Sequence, residues 1–431
     1  MLRNSRHLIL NSPFSRRPMP QAAYIHIPFC RRRCYYCDFP ITPIGDRALP
    51  EHSPMIAEYT DHLLQEIRYF SPLNSLNPRT DAHPAPSSLR SSPLKTLFFG
   101  GGTPSLLPTD QIDRILRTLE THYGFAPDIE ISMEIDPGTF DLPRLRDWKA
   151  LGINRYSLGI QSIHDPHLEI LGRSHRHTDN LHAIDHLHAA DLSNFSLDLI
   201  SGIPGLTFEQ WDSSLTWAIA THATHLSTYD LTIEPGTVFG KQHDKGQLKN
   251  LPPEETTAQM YRHASTRLTA AGYPHYEISN HAKPGYESQH NLTYWRTQPF
   301  YGFGMGATSF LNDHRLNRPR TRDAYYLWLC ALPLRTGAHP TPSPLPSSLP
   351  NDRLLETLMM GLRLQEGISL LALNAEYGPT LITQVITILH RYQKQGWTEI
   401  SPDRIRLTCP EGFLFSNIIL IALFQALDTE P

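Results

Sequence analysis

The sequence predicts an α/β protein: a partial (β/α)6, TIM-like barrel with a small C-terminal helical, winged-helix-like domain. Two observations carry that reading. Short apolar strand-like runs alternate with helical patterns along residues 24–271, the arrangement of a parallel sheet covered by helices. Beyond Pro350 the pattern changes to helices followed by a short strand pair.

The strand runs are YIHI at 24–27, TLFF at 96–99, IEISMEI at 129–135, RYSLGI at 155–160, FSLDLI at 195–200 and HLSTYDLTI at 225–233. Between them helices are predicted over 109–122, 142–151, 179–190, 207–220 and 254–271. Six such units suit an open barrel better than a closed eightfold one, and ligands gather at the carboxyl ends of its strands. The barrel is expected over 21–310, with a Pro/Ser-rich insertion at 71–93. A linker over 311–350 follows, whose Pro333 to Pro350 stretch lacks apolar periodicity. The domain at 351–431 is predicted to hold helices over 352–364 and 370–395, then the strands TEI and IRL, then a buried terminal helix. Residues 1–20 carry Arg3, Arg6, Arg16 and Arg17 without an acid, which raises an organelle-targeting segment; the preferred reading is an unstructured extension with Met19 as the start.

Composition excludes several classes. A net charge of -4 with 19% charged residues provides no basic field for nucleic acid. No apolar run reaches the roughly 18 residues of a membrane span, so no integral membrane protein is expected. Only 5 cysteines occur, three of them within eight residues, which opposes a secreted disulfide framework and fits a cytoplasmic location.

Those three are Cys30, Cys34 and Cys37 in IHIPFCRRRCYYCDF, a C-x3-C-x2-C loop whose thiolates can face one inorganic centre. Zinc is the rival, with His26 or His52 completing the set. It is disfavoured because no second C-x2-C or H-x3-H pair lies nearby, Cys330 and Cys409 are distant, and His26 would point sideways from a strand. On a four-iron four-sulfur cluster, three thiolates leave one iron open to a small molecule. Further along, Gly100, Gly101, Gly102 and Thr103 follow the second strand, and glycines permit close backbone approach to a ligand.

The cysteine loop after a strand, with Tyr36 just before the last cysteine, and the downstream FFGGGTPS resemble the radical S-adenosylmethionine superfamily. The resemblance implies a 4Fe-4S cluster on Cys30, Cys34 and Cys37, and an S-adenosylmethionine whose amine and carboxylate chelate the open iron and whose C–S bond is cleaved reductively. It further implies S-adenosylmethionine contacts from Tyr24, Tyr36, Gly101, Gly102, Thr103, Glu134, Gln161, Arg173 and Asp198.

The strings GINRYSLGIQS, LDLISGIPG, LSTYDLTIEPGTVF, YEISNHAKPGYESQHNLTYW and YGFGMGATSF resemble the oxygen-independent coproporphyrinogen III oxidase family. Its true oxidases follow the third cysteine with C-x-C. This chain has Asp38-Phe39 and HNLTYW, which resemble the HemW-like heme-chaperone branch. That branch implies heme as a ligand, with His290 as a candidate axial residue, heme-acceptor proteins and an electron donor as partners, and no oxidase activity. The alternative is oxidative decarboxylation of coproporphyrinogen III to protoporphyrinogen IX. Two positions depart from the branch: Gln289 stands where arginine is usual, and Asp136 where asparagine is usual.

Overall fold

The structure is a computed structural model that describes residues 19–46, 49–73, 92–332 and 350–427. Nearly all of the expected N-terminal extension, most of the 71–93 insertion and residues 333–349 of the proline-rich stretch lie outside the described residues.

All six expected strands form and lie side by side in sequence order: β1 (Ala22–Ile27), β2 (Leu94–Gly101), β3 (Phe125–Ile135), β4 (Arg155–Gln161), β5 (Phe195–Ser201) and β6 (His225–Asp230). Each adjacent pair is parallel, with Ile25 opposite Phe99 and Leu199 opposite Thr228. Three short strands extend the sheet to nine. β7 (His275–Glu277) and β8 (Asn280–Ala282) continue antiparallel from β6, and β9 (Tyr301–Phe303) returns parallel to the free side of β1. β9 forms one edge of the sheet and β7 the other, so the barrel is open.

Period-2 alternation along β1 separates two environments. Ala23, Ile25 and Ile27 are fully buried in the main core, while Tyr24 and His26 line a cavity on the other face. Helices Thr109–Tyr123, Leu142–Ala150, His177–Ala189, Phe208–Ala220 and Glu254–Ala270 cover the parallel strands. Local chemistry starts them: Asp141 accepts from the Arg144 N–H at 3.0 Å, and Thr207 with Gln210 forms a capping box. One helix, Pro54–Tyr69, is absent from the sequence reading. Its buried face of Ile56, Tyr59, Leu63, Leu64 and Ile67 has helical spacing, and Pro54 at its first position favours helix initiation.

The reading of 311–350 as linker fails for residues 311–332. There β10 (Thr308–Leu311) and β11 (His314–Asn317) make an antiparallel hairpin, and helix Arg322–Ala331 buries Tyr325 and Leu329 in the main core. The physical reason is a buried ion pair. Glu66 accepts from Arg318 at 2.7 Å and from Tyr325 at 2.6 Å, drawing this segment onto helix Pro54–Tyr69.

Residues 350–427 form a second core around Leu354, Leu358, Ile382, Val385, Ile405 and Phe413. The single helix expected over 370–395 is two, Leu370–Tyr377 and Pro379–Gln393, because Gly378 takes φ 83° and Pro379 restarts the chain as a first helical residue. β12 (Ile368–Ser369), β13 (Thr398–Ile400) and β14 (Arg404–Leu407) pair in the order β12-β14-β13.

Candidate cofactor site

The cysteine loop leaves the carboxyl end of β1. Phe29–Cys30 pairs in parallel with Thr42–Pro43, and the Cys37 N–H donates to the Cys34 carbonyl at 3.3 Å, so the loop closes on itself. Arg33 knits it further, donating to the carbonyls of Cys37 (3.2 Å), Phe39 (2.9 Å) and Ile41 (3.4 Å). Cys30, Cys34 and Cys37 all line one cavity of about 430 Å³ above the strand ends. Among the described residues, no three His, Cys, Asp or Glu side chains converge as for a single metal ion. Three thiols spread along one cavity wall suit a larger inorganic body. Burial pushes the Cys30 thiol up to about 12, against the opposing hydrogen bond from Thr103 Oγ1 at 3.5 Å, and burial also raises Cys37. Without a cation these thiols keep their protons, and a positively charged iron centre supplies the charge that favours their deprotonation.

The floor comes from the end of β2. Gly101 has φ 111°, a conformation L side chains rarely adopt, and a Cβ on Gly102 would lie 2.7 Å from the Phe29 carbonyl oxygen. The Gly101 N–H donates to Glu134 Oε2 at 3.0 Å. Burial, opposed by that bond and aided by Asp198 and Asp136, lifts Glu134 to about 8. Asp198 is raised by burial as well, although Ser157 donates to its two oxygens at 3.1 and 3.2 Å. Gln161 closes the end of β4 at φ 62°, where the β4–β5 register shifts.

Arg173 is nearly buried. It pairs with Asp136, donates to the Gly159 carbonyl at 3.0 Å and reaches Cys34 Sγ at 3.6 Å, while its Nε finds no partner. Tyr36 and Thr103 complete the set of expected residues on this cavity. The structure thus brings together all three cysteines and eight of the nine residues assigned to S-adenosylmethionine.

Tyr24 is the exception. It sits three residues before the end of β1, roughly 10 Å short of the strand end at 3.3 Å per residue. Its hydroxyl meets His26 Nδ1 at 3.1 Å, and it lines two neighbouring cavities instead. His290 is also displaced from its expected role. It has no exposed surface, and its ring nitrogens meet Thr96 Oγ1 at 2.9 Å and the Tyr294 hydroxyl at 2.6 Å. Placed so, it offers no free nitrogen to an iron. Asp136, Arg33 and Phe39 bear on the site without having been assigned to it; the strand-end position of Asp136 was the available signal. Gln289 donates its backbone N–H to Glu130 at 3.2 Å, outside the site.

The residues present fit a cluster and an amino-acid-bearing ligand: three soft thiols, two glycines and two desolvated carboxylates line one cavity. Residues 85–218 match the Radical SAM superfamily, and residues 349–415 match the HemN C-terminal domain. The solved structure of coproporphyrinogen III oxidase (HemN) from Escherichia coli, described as a radical SAM enzyme, aligns with a TM-score of 0.74 at 21% identity. The alignment covers 94% of this chain and 90% of that one, a likeness of fold. Fold and site therefore define a radical SAM protein, a class that implies a 4Fe-4S cluster and S-adenosylmethionine. The heme chaperone HemW of Synechocystis is 44% identical over 428 residues, 96% of this chain and 98% of that protein. That of Bacillus subtilis is 32% identical over 412 residues, 94% and 100% respectively. The chain belongs to the heme chaperone HemW family.

Proposed function

We propose that this protein is a heme chaperone that holds a 4Fe-4S cluster on Cys30, Cys34 and Cys37, binds S-adenosylmethionine beside it, and passes heme to acceptor proteins. The observation that carries the reading is a loop of three thiols facing a glycine-floored, carboxylate-walled cavity, with Asp38-Phe39 and no fourth cysteine after the triad. When bound, the cluster and S-adenosylmethionine supply reductive cleavage of a sulfonium C–S bond.

The chain's own residues bind and orient. Gly101 and Gly102 admit ligand backbone-close. Glu134, raised to about 8, is largely a neutral acid at pH 7 and can both donate to and accept from a pair of hydroxyls. Arg173 holds the Cys34 side of the loop against the cavity. An electron donor is required as partner. Five free cysteines suit a reducing compartment, the cytoplasm.

The test is anaerobic. Purified, cluster-bearing protein is incubated with heme, and separately with coproporphyrinogen III, dithionite and S-adenosylmethionine. Stable stoichiometric heme uptake, with no protoporphyrinogen formed, is expected. Robust protoporphyrinogen formation would replace the chaperone with an oxidase.

A further inference from the structure

A second cavity, of about 450 Å³, adjoins the cysteine-walled one, and Phe39 lines both. A smaller polar chamber of about 250 Å³ inside the barrel also touches Phe39, so this half-exposed ring stands where three spaces meet. The second cavity differs in chemistry from the first. It contains no cysteine, and its walls are mostly apolar.

Several segments build those walls from aromatic rings. Tyr294 and Trp295 end helix Gln289–Trp295, and Phe310 comes from the β10–β11 hairpin. Phe300 joins them, its ring 4.5 Å from Tyr294 and 6.3 Å from Phe310. Cations rim the same space. Arg315 is anchored by Glu356 with its guanidinium 5.6 Å from the Phe310 ring centre. Arg320 is exposed and has no carboxylate partner among the described residues; it donates to the Asp38 carbonyl, next to Phe39, at 2.9 Å. A broad aromatic slot with guanidinium groups at its edge complements a flat, apolar ring system bearing carboxylates. Flat rings stack on aromatic side chains, and guanidinium forks carboxylate oxygens.

We infer that this second cavity is the tetrapyrrole seat, with the macrocycle against the Phe39, Trp295 and Phe310 rings and a propionate on Arg320. The inference rests on the heme-chaperone reading and deepens it. Phe39, the residue standing where the related oxidases carry cysteine, is the partition between bound ring and cluster cavity.

Ferric heme is the probe, added anaerobically to the full cluster-bearing chain. After gel filtration, retained heme is measured as its pyridine complex, and acid-labile sulfide reports the intact cluster loop. Two substitutions act on exposed side chains of the cavity: Arg320→Glu reverses the charge, and Gln298→Trp fills the mouth. Loss of a charge-assisted hydrogen bond predicts heme retention weakened about tenfold to hundredfold in Arg320→Glu, with sulfide unchanged. Gln298→Trp should lose heme to a similar degree. If the unaltered chain retains no heme, the chaperone reading itself fails. If the unaltered chain retains heme and both variants bind it equally well, the chaperone reading stands and this seat is wrong. Should one variant lose sulfide, the other decides.

Discussion

The carboxylate of Asp136 clamps the guanidinium of Arg173, and from that clamp Arg173 reaches the sulfur of Cys34 at 3.6 Å. The pair joins the end of β3 to the cysteine loop along the lining of one cavity. A buried arginine stripped of its carboxylate leaves an uncompensated charge, whereas an asparagine keeps a hydrogen-bond acceptor in place. Asp136→Ala is therefore expected to destabilise the protein by about 3 kcal/mol and Asp136→Asn by about 1 kcal/mol, read from urea unfolding. Equal losses for the two would show that the negative charge, and not a hydrogen-bond acceptor alone, is what Arg173 needs there.

Cys34 is the thiol this arginine supports. Cys34→Ala removes one of three thiols from the cavity wall, leaving Cys30 and Cys37. Two thiolates hold a cubane poorly, so visible iron-sulfur absorbance and sulfide content should fall to a small fraction of the unaltered protein's. Unchanged iron and sulfide after reconstitution would contradict the proposed ligand set.

Six parallel strands were legible because each buried run is short, apolar and followed by helical periodicity. The cysteines and glycines were legible because spacing and strand-end position carry their chemistry. Other features depend on partners distant in sequence. Tyr24, named for its place on the first strand, lines the cavities beside the cysteine-bearing one, and its neighbours follow from the cross-strand register, here Tyr24 opposite Phe98. His290 looked available until Thr96, 194 positions away, was seen beside its ring. Residues 311–332 read as linker because the group that holds them, Glu66, lies in a helix the sequence reading omitted.

That glutamate supports a third prediction. Glu66 and Arg318 are both essentially inaccessible, with Nε to Oε1 at 2.7 Å, and the Gly304 N–H adds a bond at 2.8 Å. Phe70 and Trp328 flank the guanidinium, their ring centres 5.2 and 5.6 Å away. Removing one member of such a pair strands the other, at about 3–5 kcal/mol. Glu66→Ala should lower the unfolding midpoint accordingly, and helix Arg322–Ala331 should exchange its amide hydrogens faster. A shift under about 1 kcal/mol would mean that solvent replaces the carboxylate, contrary to its burial.

The last prediction concerns acid. Burial lowers His290 to about 3, and lowers His26, His175 and His275 each to about 4, from the ordinary 6.5. The unfolded chain takes up these protons as pH falls below 6.5, while the native protein resists them until pH 4 or lower. The stability these groups contribute is therefore complete above pH 6.5 and is lost between pH 6.5 and 4, by roughly 3 kcal/mol for each such group. Glu134, raised to about 8, has the opposite slope between 4.5 and 8 and offsets one of them in the cluster-free protein. Urea midpoints measured from pH 8 downward should thus rise modestly towards pH 6.5 and then fall steeply to pH 4. His290→Gln keeps polar atoms near Thr96 and Tyr294 but cannot titrate, so its decline below pH 6 should be shallower by about one proton's slope. A variant whose decline is as steep as the parent's would show that His290 is protonated in the folded state, and hence that its ring is open to solvent or to a ligand.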